Sequence, residues 1–357
     1  MRRVLFIICT LYAYSSAAQL STPKYSNEFL SIGVGARALG MGNSVVSHVG
    51  DGTAAYWNPS GLLNIKDKYE ATLMHSEYFA GIASYDFIGL AMPVDTLSHI
   101  ALSVIRFGID DIPDTRFLYD ANGAINYDNI RFFSAADYAF MFSYARKIPA
   151  LGGLGVGANF KVVHRKVGDF AHAWGFGLDI GAQKKMGRWQ FGLMLRDITG
   201  TFNAWSHNAE LVEDVYALTG NEIPVSSLEV TLPRAILAIS HHFQLMDQLG
   251  LLASADLEMT FDGKRNVAIK SDLASISPML GLELDYGQVA FLRLGAGKFQ
   301  QIKDFNNTTI TSWQPNFGIG VKLKSFRMDY AMTDFSDNAA TLYSHVFSLA
   351  MGINDKK

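Results

Sequence analysis

Residues 154–162 have the sequence LGVGANFKV, in which an apolar residue alternates with a glycine, polar or charged residue. Period-two alternation is typical of a β-strand, because successive side chains point to opposite faces of a sheet. The pattern recurs at 174–181, 189–196 and 317–323, with the sequences WGFGLDIG, WQFGLMLR and FGIGVKL. One face of each strand is therefore apolar, and the other consists mostly of glycine, polar and charged residues.

Two folds use such strands differently. In a soluble sandwich the apolar face points into the core, whereas in a membrane barrel it meets lipid and the other face lines the lumen. We count fourteen segments between residues 69 and 353, most of them near the length of about 9–11 residues that a tilted strand needs to cross a bilayer. Short connections, such as 94–96, alternate with longer ones, such as 197–233. This pattern predicts an all-β fold, a 14-stranded antiparallel transmembrane β-barrel with both termini in the periplasm.

The N-terminal residues have the features of a secretory leader. Two arginines precede an apolar stretch at 4–14, and small residues follow at 16–18. We therefore divide the chain into a signal peptide at 1–19, an N-terminal plug segment at 20–66 and a barrel at 67–357 in the cell outer membrane. The single cysteine, Cys9, lies in the leader, which excludes disulfides and thiol catalysis from the mature chain.

The composition and motifs of the chain limit the partners and activities that we expect. The formal net charge is −3 and no basic run occurs, so we expect no nucleic acid partner, whereas outer-membrane lipids should surround the barrel. No nucleophile motif is present, and we predict no catalytic residue, no cofactor and no enzymatic activity. His241 and His242 are adjacent in one strand and point to opposite faces, so we predict no metal site there.

Charged residues recur on the face that would line the lumen. By strand parity they are Lys161, Asp179, Arg196, Asp256, Glu258, Glu283, Asp285, Arg293, Lys322, Arg327 and Asp329. Their mixed signs favour ion pairs across the wall and to the plug over a selective pore, in which one sign would dominate. So many lumenal charges also mildly disfavour a tunnel for lipids.

The segment before the first strand is dense in glycine over 29–63. Fourteen strands leave an interior too wide for wall side chains alone to fill, and this segment is available to occupy it. Its motif GVGARA at 33–38 matches a dinucleotide-binding fingerprint, but no strand precedes it and no crossover unit follows. We expect its glycines to allow close packing and Arg37 to pair with a lumenal carboxylate.

Two short motifs carry a resemblance to a known family. The sequences FLSIGVGARALGMG at 29–42 and AAYWNPSGL at 54–62 resemble the N-terminal signature of the PorV family, within the FadL-like group of outer-membrane barrels. PorQ relatives are less close. The plug motif residues are Gly33, Gly35, Ala36, Arg37, Gly40, Met41, Gly42, Tyr56, Trp57, Asn58, Pro59 and Gly61.

The resemblance implies a fourteen-stranded barrel of the type IX secretion system in a Bacteroidetes-type bacterium. Such a protein would associate with the translocon barrel, accept cargo by its C-terminal signal domain and shuttle it to the surface attachment complex. The alternative is a FadL-like outer-membrane transporter of long-chain fatty acids or other hydrophobic molecules, for which the expected feature is an apolar lumenal pocket. A structural or gliding-related surface protein is compatible with the same sequence.

Overall fold

The computed structural model describes residues 26–78, 81–120, 122–213, 216–217, 220, 222, 227–303, 307–333 and 344–354. The predicted leader and the first residues of the predicted plug segment lie outside this part of the chain. The strands are β1 (Tyr69–Tyr78), β2 (Ala83–Pro93), β3 (Ser98–Asp114), β4 (Arg131–Ile148), β5 (Leu154–Val167), β6 (Ala171–Met186), β7 (Trp189–Arg196), β8 (Thr201–His207), β9 (Leu228–Thr231), β10 (Arg234–Met246), β11 (Leu249–Thr260), β12 (Ser275–Tyr286), β13 (Ala290–Lys303), β14 (Thr309–Leu323), β15 (Phe326–Thr333) and β16 (Ser344–Ile353).

The strands close into one antiparallel ring. From β1 to β6 each strand pairs with the next, β10 to β16 do the same, and β16 pairs with β1. Between these two runs, β6 pairs with both β7 and β8, which together occupy one strand position. The next position is shared by β10, which pairs with β7, and β9, which pairs with β8. The ring therefore has fourteen strand positions. Each described strand is paired on both sides except β9, which pairs only with β8. Such closure is what a barrel in lipid requires, because backbone groups at an open edge would stay unpaired.

The predicted loop 197–233 is wrong in part, because β8 and β9 within it extend the wall. The wall is interrupted at 197–200, where Asp197 and Gly200 have φ angles of 54° and 68°. It is interrupted again at 232–233, where Pro233 cannot donate to the ladder. Alternation stops at these residues, which is why the sequence pattern ends the strand there.

The two ends of the barrel differ. One end, here called the short-turn end, carries brief connections such as 187–188, 247–248 and 324–325. The opposite, long-loop end carries 115–130 and 261–274, but also the brief connection 168–170 between β5 and β6. The predicted alternation of short and long connections thus has an exception at this hairpin. The sequence already shows another exception at the first hairpin, where only residues 79–82 separate β1 from β2.

The outward face is apolar and the inward face is small or polar. On β6, Trp174, Phe176 and Leu178 are 47%, 43% and 38% exposed, whereas Asp179 is only 3% exposed. Its neighbour Gly181 also points inward and is buried. The alternation in the sequence is therefore that of a barrel wall whose small and charged face is covered from inside.

The material that covers it is the segment 26–65, called the plug below. It lies inside the ring and contains α1 (Ala36–Gly40), α2 (Ala54–Trp57) and single 3₁₀ turns at Glu28–Ser31 and Pro59–Asn64. Its apolar side chains form the centre of the buried core of the molecule. Among the residues described, no helix is long and apolar enough to cross a membrane.

Candidate functional site

The plug is folded on itself before it touches the wall. The Tyr56 hydroxyl donates to the Leu30 carbonyl at 2.6 Å, and Trp57 Nε1 donates to the Val34 carbonyl at 2.7 Å. The two rings meet edge to face, with centroids 4.8 Å apart. Tyr56 and Trp57 are both buried, so they bind the first half of the plug to the second.

The turn after α1 lies against the wall through backbone atoms. Gly40 faces Gly318 of β14, and Gly42 faces Gly295 of β13. A Cβ on Gly40 would lie 3.0 Å from the Gly318 Cα, and a Cβ on Gly295 would overlap the Gly42 backbone. Met41, between the two plug glycines, is fully buried. Only residues without a side chain allow two backbones to approach so closely.

A second backbone contact is made by Asn58 and Pro59. Asn58 Nδ2 donates to the main-chain carbonyls of Ala182 and Leu193 at 3.1 and 3.3 Å. Pro59 lies against Gly157 of β5, where an added Cβ would be 2.6 Å from the proline carbonyl carbon. The plug thus contacts two separate parts of the wall, β5–β7 and β12–β14.

The other motif residues fix the plug backbone. Gly35 and Ala36 donate main-chain hydrogen bonds of 2.8 and 2.7 Å to side chains of the wall. Gly33 and Gly35 have φ angles of 108° and 90°, which L side chains rarely adopt. Gly61 packs directly on the Val49 carbonyl within the plug.

Six charged residues form a chain of ion pairs from the plug to the wall, here called the Arg37 cluster. They are Arg37 and Asp51 of the plug and Glu283, Arg293, Arg327 and Asp329 of the wall. Arg37 Nε and Nη2 donate to the two Glu283 oxygens at 2.8 and 2.7 Å. The structure therefore gives Arg37 the lumenal carboxylate partner expected from the sequence.

Positive and negative groups alternate along the rest of the Arg37 cluster. Arg293 lies 2.6 Å from Glu283 and 2.8 Å from Asp329. Arg327 lies 2.9 Å from Asp329 and also pairs with Asp51. Burial opposes ionisation of Asp51, but the guanidinium of Arg327 and then that of Arg37 hold its pKa well below the usual range. Every charge in the cluster is thus matched by an opposite neighbour.

A second buried cluster lies at the interrupted part of the wall. Lys161 Nζ is 2.8 Å from Asp179 and 2.5 Å from Asp197. Arg234 reaches Asp197 at 3.5 Å. Arg196 is buried nearby, and its guanidinium lies 4.4 Å from the centroid of the Tyr56 ring. These contacts join β5, β6 and the start of β10 to the plug.

The remaining charges predicted for the lumen also face inward. Asp256 accepts from the Ser44 hydroxyl at 2.9 Å and the Val46 amide at 3.0 Å. Glu258 lies 3.5 Å from Arg234, and Asp285 lies 3.2 Å from His242. Lys322 lines a cavity at the short-turn end. The eleven residues predicted from strand parity thus divide between the two clusters, contacts with the plug, and cavity walls.

Three charged residues of these clusters were missed by the sequence reasoning. Asp51 lies in the plug, where strand parity gives no orientation. Asp197 lies at the interruption after β7, outside any alternating stretch. Arg234 begins β10 and shares its inward parity with Ile236 and Ala238, so parity applied to the first residue of this predicted strand would have found it.

Two cavities of more than 200 Å³ lie in the described part of the lumen, toward opposite ends of the barrel. The cavity toward the long-loop end has a volume of about 220 Å³. Leu39, Tyr78 and Phe107 line part of it, and Gln314 and Asn316 line another part. The expected apolar pocket is therefore replaced by a mixed polar and apolar one.

The cavity toward the short-turn end has a volume of about 410 Å³ and is lined mainly by charged residues. His48 of the plug lies at it and is 8% exposed. Burial, followed by repulsion from the Arg37 guanidinium, lowers the pKa of His48 to about 3, although Glu283 and Asp51 oppose this shift. His48 is therefore neutral at neutral pH, and its Nε2 atom has no hydrogen-bond partner among the residues that the structure describes.

No family model matches the sequence, and no curated protein sequence matches it. Solved outer-membrane structures do match in fold. The toluene transporter TbuX of Ralstonia pickettii aligns with a TM-score of 0.54 and 13% identity, over 90% of this chain and 99% of that chain. The toluene transporter TodX of P. putida gives 0.56 and 13%, over 91% and 99%. A FadL homologue of Pseudomonas aeruginosa gives 0.50 and 13%, over 89% and 97%. At this identity the likeness concerns the fold alone, a plugged fourteen-position barrel.

Proposed function

We propose that this chain, with its FadL-like barrel fold, is an outer-membrane transporter for small, partly apolar molecules. The observation that carries the proposal is the pair of lumenal cavities toward opposite ends of the barrel, with the plug turn 39–43 among the residues that lie between them. Leu39, Gly42 and Asn43 line the long-loop cavity, whereas Arg37 and His48 line the other. Displacement of this one turn would join the cavities into a path through the barrel.

The size and lining of the long-loop cavity indicate the kind of solute. Its volume of about 220 Å³ is below the range of roughly 300–1,000 Å³ typical of sites for drug-sized ligands. A single aromatic ring with a short polar substituent suits the space beside Tyr78 and Phe107 better than a long acyl chain does. The toluene transporters that share the fold support a solute of this size.

A disulfide lock tests whether the turn must move. Ser44, next to the turn, and Ser254 of β11 have hydroxyl oxygens 2.9 Å apart, so Ser44→Cys/Ser254→Cys places two thiols in contact across the plug–wall boundary. The only native cysteine lies in the leader. We expect oxidised cells expressing this variant to lose uptake of radiolabelled benzyl alcohol, and reduction with dithiothreitol to restore it.

The controls are the unmodified barrel and the Ser44→Cys single variant under the same oxidation. Neither has a second thiol in the mature chain, so both should transport before and after oxidation. Equal uptake by the oxidised and reduced double variant would rule out a gate at this turn. Uptake no faster than in cells without any form of the barrel would rule out the transport function itself.

A role in type IX secretion is the second candidate, supported by the motif resemblance and by charges on the outward face. His75 Nδ1 lies 2.7 Å from Asp86 Oδ1, and Arg106 lies 3.6 Å from the same carboxylate. Charged groups are costly against lipid, and a polar protein partner would cover them at lower cost. Under this proposal, deletion of the gene should leave surface-bound cargo proteins in the periplasm, while benzyl alcohol uptake stays unchanged. Normal secretion with lost uptake would exclude it.

A further inference from the structure

The cavity at the short-turn end combines a defined volume with a strong excess of positive charge. Six cationic side chains line it, compared with two carboxylates. The cations are Arg37, Lys185, Arg188, Arg293, Lys322 and Arg327. We propose that this cavity binds a small soluble organic anion with two or more negative charges, such as a phosphate ester or a tricarboxylate. This site is distinct from the long-loop cavity proposed for transport.

Three of these cations are already neutralised. Arg37, Arg293 and Arg327 belong to the Arg37 cluster, in which each faces at least one carboxylate. Their ion pairs account for the structural role of the cluster in holding the plug. Their charge is therefore not the surplus that attracts a ligand, although all three side chains line the cavity.

The other three cations are not neutralised by a carboxylate in the described part of the chain. Lys185 lies near the end of β6, Arg188 lies in the turn 187–188 before β7, and Lys322 lies near the end of β14. None of them forms an ion pair within the described part of the chain, where the pairs of the lumen and the surface are otherwise numerous. Unpaired like charges around a concave surface repel one another and concentrate the field on it. A multivalent anion relieves this repulsion.

A buried polar atom gives a second, independent indication. His48 is 8% exposed, and in the described part of the chain no group forms a hydrogen bond with its Nε2 atom. An unsatisfied buried polar group costs about 1–3 kcal/mol, and in native structures it calls for an explanation such as a bound ion. An anion seated between Arg188 and Lys322 with one oxygen directed to the plug would supply a partner for this nitrogen.

The chemistry of the lining selects the ligand class. Guanidinium and ammonium groups recognise carboxylate and phosphate oxygens through charge-assisted hydrogen bonds. A volume of about 410 Å³ accommodates a molecule larger than a bare inorganic ion. Its lining residues belong to the plug, to turns at the short-turn end and to the strand ends beside them, so we expect a soluble anion to reach it more directly than a lipid headgroup does.

Isothermal titration of the purified full-length barrel in a neutral detergent tests the proposal. The probes are citrate and glycerol 3-phosphate, with glycerol as the uncharged comparison, at constant ionic strength set with potassium chloride. We expect saturable binding of both anions and none of glycerol. The variant Lys185→Gln/Arg188→Gln/Lys322→Gln should bind citrate at least about tenfold more weakly, equivalent to about 1.4 kcal/mol.

A matched variant separates a built site from general charge attraction. Lys166→Gln/Lys264→Gln/Lys303→Gln removes the same number of cations at the long-loop end of the barrel and should leave citrate affinity unchanged. Equal loss in both triple variants, or no saturable binding by the unmodified barrel, would overturn the proposal. Heat-modifiable migration on a gel shows that each variant is folded. If the cavity triple variant is not folded, Lys322→Gln alone provides the same comparison.

The same titration in lipid nanodiscs identifies the source of the anion. In nanodiscs, phosphatidylglycerol supplies anionic headgroups and phosphatidylcholine does not. Equal citrate affinity in the two lipids supports a soluble ligand, whereas loss of citrate binding only in phosphatidylglycerol shows that a lipid headgroup occupies the site and overturns the assignment to a soluble anion. Neither result depends on transport of benzyl alcohol, so this inference and the proposed function fail separately.

Discussion

Replacing Arg37 with alanine should loosen the plug without opening the barrel wall. The side chain is 20% exposed and makes two hydrogen bonds of 2.7 and 2.8 Å to Glu283, which is 7% exposed. Breaking a buried ion pair from one side typically costs about 3–5 kcal/mol. Here Glu283 keeps Arg293 at 2.6 Å, so we expect a smaller loss, about 2–3 kcal/mol.

Hydrogen exchange followed by mass spectrometry measures this local stability. A loss of about 2–3 kcal/mol corresponds to exchange faster by a factor of roughly 30 to 150 in the plug peptides that cover 36–45. The wall peptides should keep their protection, because the strand ladder does not depend on Arg37. The comparison variant is Arg116→Ala, which removes an ion pair with Asp114 away from the plug. Unchanged exchange of 36–45 in Arg37→Ala, or an equal increase in Arg116→Ala, would refute the reasoning.

Three further perturbations address other contacts of the plug. Gly295→Ala should cost about 1–3 kcal/mol of plug stability, because the added Cβ overlaps the Gly42 backbone. The control Gly187→Asn should cost much less, because a Cβ there meets no described atom within 4 Å. Equal exchange rates of the plug in the two variants would contradict this. Asn58→Ala should cost about 2–3 kcal/mol, because its buried carbonyl partners lose their donor; full protection of 58–64 would argue against it. His48 has a pKa of about 3 in the folded plug and about 6.5 when unfolded, so acid favours the unfolded form. Stability should therefore fall as the pH drops below 6.5, by about 1.4 kcal/mol at pH 5.5, and His48→Gln should remove this dependence.

The wall could be predicted from the sequence because the alternation of side chains that forms it is a local pattern along each strand. Alternation in stretches such as 154–162 assigns each side chain to one face, and a closed ring follows from the need to pair every strand in lipid. The same parity placed Glu283, Arg293 and Asp329 on the lumen side, where the structure has them. Arg37 could be expected to find one of these carboxylates, since a cation among them would otherwise remain unpaired inside the barrel.

The rest depends on long-range packing that no local pattern encodes. β8 and β9 are brief strands between interruptions at 197–200 and 232–233, and they are recognisable only because β6 lies beside them. The partner of Asp51 is Arg327, separated from it by most of the chain. The two cavities are gaps left between plug and wall, so their size and lining follow from the packing of both. A mixed lining at Tyr78 and Asn316 could not be read from either strand alone.

In this structure the plug closes the lumen of an otherwise wide barrel. Planar-bilayer recording tests this closure on the purified barrel and on a variant that lacks residues 20–66, with heat-modifiable migration as the check on folding. We expect almost no ion current through the full-length barrel and large, stable conductance steps through the shortened one, because fourteen strand positions leave a water-filled interior once the plug is removed. Large steps from the full-length barrel, equal to those of the shortened one, would contradict it.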